Sequence, residues 1–160
     1  MERSAHLRHH PGQIAFPGGG LDPVDHDDIE RTALRELAEE TGIAAERVRL
    51  VGRLADVPGR VNPFIITPFV GIVAPGAPPV PDGDETIAVF TPPLAALLAP
   101  GGVHKGVERL GGVAIESWLF DWQGLHVWGV TGRILAAFVA AVRTEATLST
   151  AIAGAGIPLD

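Results

Sequence analysis

The chain contains no cysteine. That absence removes disulfides, thiolate nucleophiles and cysteine-based zinc sites together, and it fits a cytoplasmic protein. Lysine is nearly absent too: Lys105 stands alone beside eleven arginines. No apolar run approaches the ~20 residues a membrane span needs, and no apolar signal-peptide core follows Met1-Glu2-Arg3-Ser4. Excess positive charge is also missing. A formal net charge of −7 argues against binding nucleic acid through its phosphates. There is no G-x-x-x-x-G-K-[ST], hence no P-loop, and the glycines are not arranged as G-x-G-x-x-G. Ser4, Ser117 and Ser149 lack the G-x-S-x-G setting of a serine hydrolase.

What remains is a globular composition, 46% hydrophobic and 19% charged over 160 residues. It predicts a single domain over 1–160, with its core over about 3–145 and a tail over 146–160. Twenty glycines and fourteen prolines predict many loops.

The richest stretch runs from Gly18 to Ile43. Gly18, Gly19 and Gly20 lead through an Asp-rich turn into Arg35-Glu36-Leu37-Ala38-Glu39-Glu40-Thr41-Gly42-Ile43. A helix starting near Asp28, with Asp27 as N-cap and Glu30 closing a capping box, is expected. Ala33, Leu34, Leu37 and Ala38 would face the core, and Gly42 would end the helix in a left-handed turn. Glu36, Glu39 and Glu40 then share one face, where like charges repel unless a counter-ion joins them. A divalent metal such as Mg²⁺ meets that need, because it takes oxygen ligands and leaves positions open for substrate phosphates. Arg35, four residues before Glu39, can pair with a carboxylate and fix its rotamer. The glycines bring backbone N–H groups near an anion. These parts suit attack of water on a phosphoanhydride.

Elsewhere, short strands are expected at 13–16, 48–55, 64–73 and 85–90, with Pro68 marking an edge or a bulge. A short helix capped by Thr91 with Pro92 at its first position would run to Leu98. Residues 99–113 read as an open loop. Ile115–Phe120 and Leu125–Trp128 read as a hairpin around Trp122-Gln123-Gly124. A helix from Thr131 to Thr144 would bury Ile134, Leu135, Phe138, Val139 and Val142. From Leu148 onward no element is evident. His6, His9 and His10 cluster without helical metal spacing and read as solvated loop. Trp118, Trp122 and Trp128 read as packing residues.

Residues 35–43 resemble the second half of the Nudix box, G-x5-E-x7-R-E-U-x-E-E-x-G-U, at every fixed position. The first half departs: the spacing is two residues longer and Asp25, Asp27 or Asp28 stands where the box has Glu. The resemblance implies an α/β/α Nudix sandwich of α+β type with a mixed sheet, and Mg²⁺ or Mn²⁺ dependence. It also implies hydrolysis of a nucleoside diphosphate derivative. By match, Glu36, Glu39 and Glu40 would hold the metal and Arg35 would orient a ligand. Upstream, Arg3-Ser4-x-x-Leu7-Arg8-x-His10-x-Gly12-Gln13-Ile14-Ala15-Phe16-Pro17-Gly18-Gly19 is similar to the signature of the coenzyme A pyrophosphatase branch. Asp22-Pro23, Thr67-Pro68 and Trp128-Gly129-x-Thr131 are similar to that branch as well. This implies cleavage of coenzyme A to 3′,5′-ADP and 4′-phosphopantetheine, with Arg3 and Arg8 as phosphate contacts. Members carry further strands before the Arg-Ser motif. The expectation here is a sheet short of its first strands that closes by dimerising or by rearranged pairing. Members often use a further acidic residue from outside the box as base or ligand; Glu85, Glu108 and Glu116 are candidates, none of them favoured. Two alternatives stay open: another substrate, such as an NADH-like dinucleotide or a nucleotide sugar, or a binding module without catalysis. The three retained carboxylates speak against the module.

Overall fold

The computed structural model describes residues 1–59 and 64–159. The tail expected over 146–160 thus ends on a residue outside the described range. The architecture is α+β. In chain order the elements are β1 (Glu2–Arg3), α1 (Ile29–Thr41), β2 (Val48–Arg53), β3 (Val57–Pro58), β4 (Ile65–Ile66), β5 (Phe69–Val73), β6 (Thr86–Ala88), α2 (Leu94–Leu98), β7 (His104–Leu110), β8 (Val113–Trp122), β9 (Leu125–Val127), α3 (Gly129–Thr144) and α4 (Ala146–Gly154). They fall into two compact units, Met1–Val51 with Phe69–Thr91, and Gly52–Pro68 with Pro92–Asp160.

In the first unit β1 pairs antiparallel with β6, and β2 pairs with β5. The strand expected at 13–16 reduces to one bridge between Ile14 and Glu2. Helix α1 is capped by Asp28, not Asp27; its side chain accepts from the N–H groups of Glu30 at 2.9 Å and Arg31 at 3.3 Å. Glu30 closes no capping box. The box forms one turn earlier, where Asp22 and Asp25 cap a 3-10 turn over Pro23–Asp25 reciprocally. Gly42 ends α1 at φ 67°, and its N–H donates to the Ala38 carbonyl. Ala33, Leu34, Leu37 and Ala38 are only half-buried, while the buried positions of the helix are Thr32, Glu40 and Thr41. Those three are polar, so α1 is held by hydrogen bonds as much as by apolar contact.

In the second unit β7, β8 and β9 form an antiparallel sheet. The open loop expected over 99–113 is corrected here: His104–Leu110 is a strand, in register with β8 from His104–Leu119 to Leu110–Val113. Gly111 and Gly112, both at positive φ, supply the two-residue turn that matches strand twist. The hairpin β8–β9 closes around Gln123-Gly124 as expected. The strand expected over 64–73 is broken at Thr67-Pro68 into β4 and β5, because proline has no N–H for a ladder. Helix α2 begins after Pro93, without a side-chain cap from Thr91. Helix α3 starts two residues early and buries Ile134, Leu135, Val139 and Val142, with Phe138 half-buried. The tail is also helical: α4 packs on α3 and buries Leu148 and Ile152, one turn apart. Among the described residues no single helix is long and apolar enough to cross a membrane; α3 and α4 pass that test only as a pair bent by 91°.

Candidate active site

The sequence puts Arg35 between acidic neighbours, and the fold adds one more that is distant in sequence. Asp25 is 2% exposed. Its carboxylate accepts from Arg35 Nε at 3.0 Å and Nη2 at 3.1 Å, a bidentate grip. The Thr32 hydroxyl and the Asp22 N–H donate to the same carboxylate, at 2.9 and 3.0 Å. The Arg35 guanidinium, with these hydrogen bonds behind it, holds the Asp25 carboxyl well below the usual carboxylate range. Of the three aspartates that could stand at the first box position, Asp25 is the one joined to the box arginine. Asp28 caps the helix, and Asp27 is exposed at φ 61°.

The same guanidinium reaches the helix face. Arg35 Nη1 lies 2.8 Å from Glu39 Oε2, and Nη2 lies 3.0 Å from Glu36 Oε1. Nη2 also donates to the Gly20 carbonyl at 3.3 Å, tying the glycine loop to α1. Arg35 is thus an organising residue, and its planar fork explains why arginine suits the position better than lysine. Gly19 passes against Glu36 so closely that a Cβ there would fall onto the carboxylate.

Glu40 is buried, 4% exposed. Its Oε2 accepts from the Gly18 N–H at 2.9 Å, and Arg3 Nη1 approaches Oε1 to 4.0 Å. Burial pushes its carboxyl up to about 7; the Gly18 hydrogen bond opposes that shift, and Glu36 adds to it by repulsion. Glu85, exposed and outside the helix, adds a smaller repulsion. Strand β1 brings Arg3 there: the Arg3 N–H donates to the Gln13 carbonyl and the Ser4 N–H to the Glu85 carbonyl.

Arg3 therefore joins the site, whereas Arg8 is exposed and makes no ion pair among the described residues. Glu108 and Glu116, the other candidate carboxylates, lie in the second unit. Glu108 pairs with His126 at 2.7 Å. His10 bonds the Gln13 side chain.

Among the described residues the side-chain cations at Asp25, Glu36, Glu39 and Glu40 are Arg35 and, at 4.0 Å, Arg3, and the Met1 ammonium also interacts with Glu40. Among the described residues no group of three acidic or imidazole side chains is placed to hold a metal ion. Mg²⁺ does not need one, since it keeps several waters and takes one or two carboxylates. The all-oxygen donor set of Glu36, Glu39 and Glu40 fits such an ion.

The glycine loop, the acidic helix and Arg35 thus form one polar cluster in the first unit. The profile of the NUDIX domain matches residues 1–108. Over 134 residues the chain is 41% identical to proteins of Salmonella paratyphi B, Salmonella newport and Salmonella enteritidis, each described as "Uncharacterized Nudix hydrolase NudL". The match covers 84% of this chain and 69% of each relative. The chain belongs to the Nudix hydrolase family. Members of that family act on small nucleotide substrates and generally use divalent metal ions.

Proposed function

We propose that this chain hydrolyses the pyrophosphate bond of coenzyme A or its thioesters, giving 3′,5′-ADP and the (acyl-)4′-phosphopantetheine. The reading rests on one observation above all. Arg3, from the Arg-Ser segment that resembles the coenzyme A branch, lies at Glu40 of the box helix, 4.0 Å away. The two motifs thus share one site, and an arginine there suits a ligand with an extra phosphate.

Glu36, Glu39 and Glu40 would hold Mg²⁺ or Mn²⁺. When bound, the ion neutralises the diphosphate charge that would otherwise repel the acidic helix. Arg35 holds the Glu36 and Glu39 side chains and the Gly20 carbonyl, so the carboxylates are oriented before substrate arrives. Gly18, Gly19 and Gly20 let the diphosphate approach the backbone. Arg3 screens the substrate phosphates. Water attacks one phosphorus in line, the bridging P–O bond breaks, and a site carboxylate or Glu85 accepts the water proton. We assign the chain to a single functional domain acting in the cytoplasm.

The test is hydrolysis of coenzyme A with Mg²⁺, comparing wild type with Glu40→Gln, products read by chromatography. The expected result is 3′,5′-ADP release that falls by about 10²-fold or more in the variant. Equal rates would refute the assignment of Glu40. If wild type ignores coenzyme A but cleaves an NADH-like dinucleotide or a nucleotide sugar, the branch assignment fails while the hydrolase chemistry stands.

A further inference from the structure

We propose that a cleft in the second unit, between the β7–β8 hairpin and the start of α3, binds a mononucleotide-type organic phosphate. Every residue involved belongs to that unit, so the inference does not rest on the coenzyme A reading. The cleft has a volume of about 450 Å³ and is lined by Lys105, Val107, Glu116, Trp118, Gly129 and Arg133 among others. That volume lies within the range of small-ligand sites.

The side chains are arranged in a ladder. Lys105 stands directly opposite Trp118 in the β7–β8 register, and Val107 opposite Glu116. The Lys105 ammonium lies over the Trp118 ring, 5.5 Å from its centre. Lys105 and Arg133 form no salt bridge among the described residues. Two cations share the cleft with one carboxylate, Glu116, and neither pairs with it among the described residues, so the cleft keeps net positive charge. Like charges gathered in this way favour an anion, and an arginine beside a lysine suits phosphate. At the start of α3 the Gly129 N–H is already taken by the Ser117 hydroxyl at 2.8 Å, so the two cations alone supply the positive charge.

Inorganic phosphate would use only the cations. Trp118 offers a flat face to a base, and Glu116 offers an acceptor to a sugar hydroxyl or an exocyclic amine. A phosphate joined to a ribose and a base uses all four groups. The composition gives an independent hint: the only lysine in a chain of eleven arginines sits here. A lysine provides a compact point charge that an arginine fork does not.

That single lysine also provides the assay. The full chain is acylated with a limiting amine reagent in EDTA, and modification of the Lys105 peptide is followed by mass spectrometry. The probes are AMP, adenosine and inorganic phosphate. The expected result is that AMP slows acylation of Lys105 severalfold, while adenosine and inorganic phosphate at the same concentration leave it near the free rate. In Arg133→Met the AMP concentration giving half-protection should rise by about tenfold or more. In Glu40→Gln it should not change, because the cleft does not use the acidic helix. Unaltered acylation with AMP overturns the proposal, as does equal protection by inorganic phosphate. Loss of protection in Glu40→Gln also overturns it, by placing the nucleotide on the acidic helix.

Discussion

The two units bury opposite kinds of side chain. In the first, the buried polar residues are Ser4, Asp25, Thr32, Glu40, Thr41 and Thr86, and Met1 is the buried apolar one. In the second, the buried set is apolar: Leu54, Val57, Leu119, Phe120, Leu125 and Val127 on and near the strands, and residues such as Ile134, Leu135, Val139, Leu148 and Ile152 on the helices. Buried polar groups need partners and are costly without them. The first unit meets that need with several partners: Arg35 and Thr32 for Asp25, the Gly18 N–H for Glu40 and the Leu37 carbonyl for Thr41. Buried apolar groups need only close packing. The second unit is therefore built for stability, and the first holds charged groups in fixed places where chemistry can use them.

The largest expected effect separates these roles. Phe120, 2% exposed, sits in β8 opposite Val127. Phe120→Ala should cost about 3–5 kcal/mol of stability, read by denaturant titration, with turnover per folded molecule unchanged. A large fall in turnover with stability intact would erase the distinction between the units. Next comes Arg35→Met, which leaves three carboxylates without their organiser. Turnover should fall by about 10–100-fold, and thermal melting should also drop because Asp25 becomes a buried unpaired charge. Wild-type turnover in that variant would show that Arg35 positions nothing.

Gly19→Ala should act more gently. The added Cβ meets the side-chain end of Glu36 rather than backbone and would push that carboxylate off Arg35, so the fold should survive while turnover drops by roughly tenfold. Gly132→Ala is the matched control in the second unit. There the Cβ meets the Trp118 backbone carbonyl, so stability should fall by about 1–3 kcal/mol with chemistry spared. Reversal of the two outcomes would break the comparison.

The smallest effect is in pH. Asp25 has a depressed carboxyl, so its contribution is present above its ordinary value of 3.8 and is lost as pH falls below that. His126 in the second unit is bound at both ring nitrogens, by Asp121 at 2.6 Å and Glu108 at 2.7 Å. Asp121 first, then Glu108, raises its affinity for a proton. Its contribution is full below 6.5 and is lost as pH rises through the elevated value. With the side chain 45% exposed, the loss is on the order of a few tenths of a kcal/mol. It should be visible as a slightly lower melting temperature at alkaline pH that is absent in His126→Ala. An identical pH profile in that variant would show that the imidazolium contributes nothing.

Helix α1 and the carboxylates on its face were legible because a 3.6-residue repeat, a stop at Gly42 and Arg35-Glu36 all agree locally. The β8–β9 hairpin and α3 were legible for the same reason. Strand β7 was not. His104–Leu110 is polar and includes Gly106, and it becomes a strand through its register with β8 rather than through any pattern of its own. Helix α4 was hidden by its small residues, since Leu148 and Ile152 alone mark its buried face. The residue standing at the first box position was ambiguous among three aspartates. The capping pattern Asp22-Pro23-Val24-Asp25 was the available signal, because it fixes the turn that points Asp25 back at the helix. The Lys105–Trp118 cleft had no signal until the cross-strand register was known.

The central claim is that Glu36, Glu39 and Glu40 hold a divalent cation against the glycine loop. Its most direct measurement is titration of Mn²⁺ into the folded chain, followed by electron paramagnetic resonance of the free ion. The account predicts saturable uptake that weakens by at least about tenfold in Glu36→Gln and in Glu40→Gln, with the fold unchanged by circular dichroism. Uptake equal in wild type and both variants, or no uptake by folded wild type in the presence of coenzyme A, would contradict it.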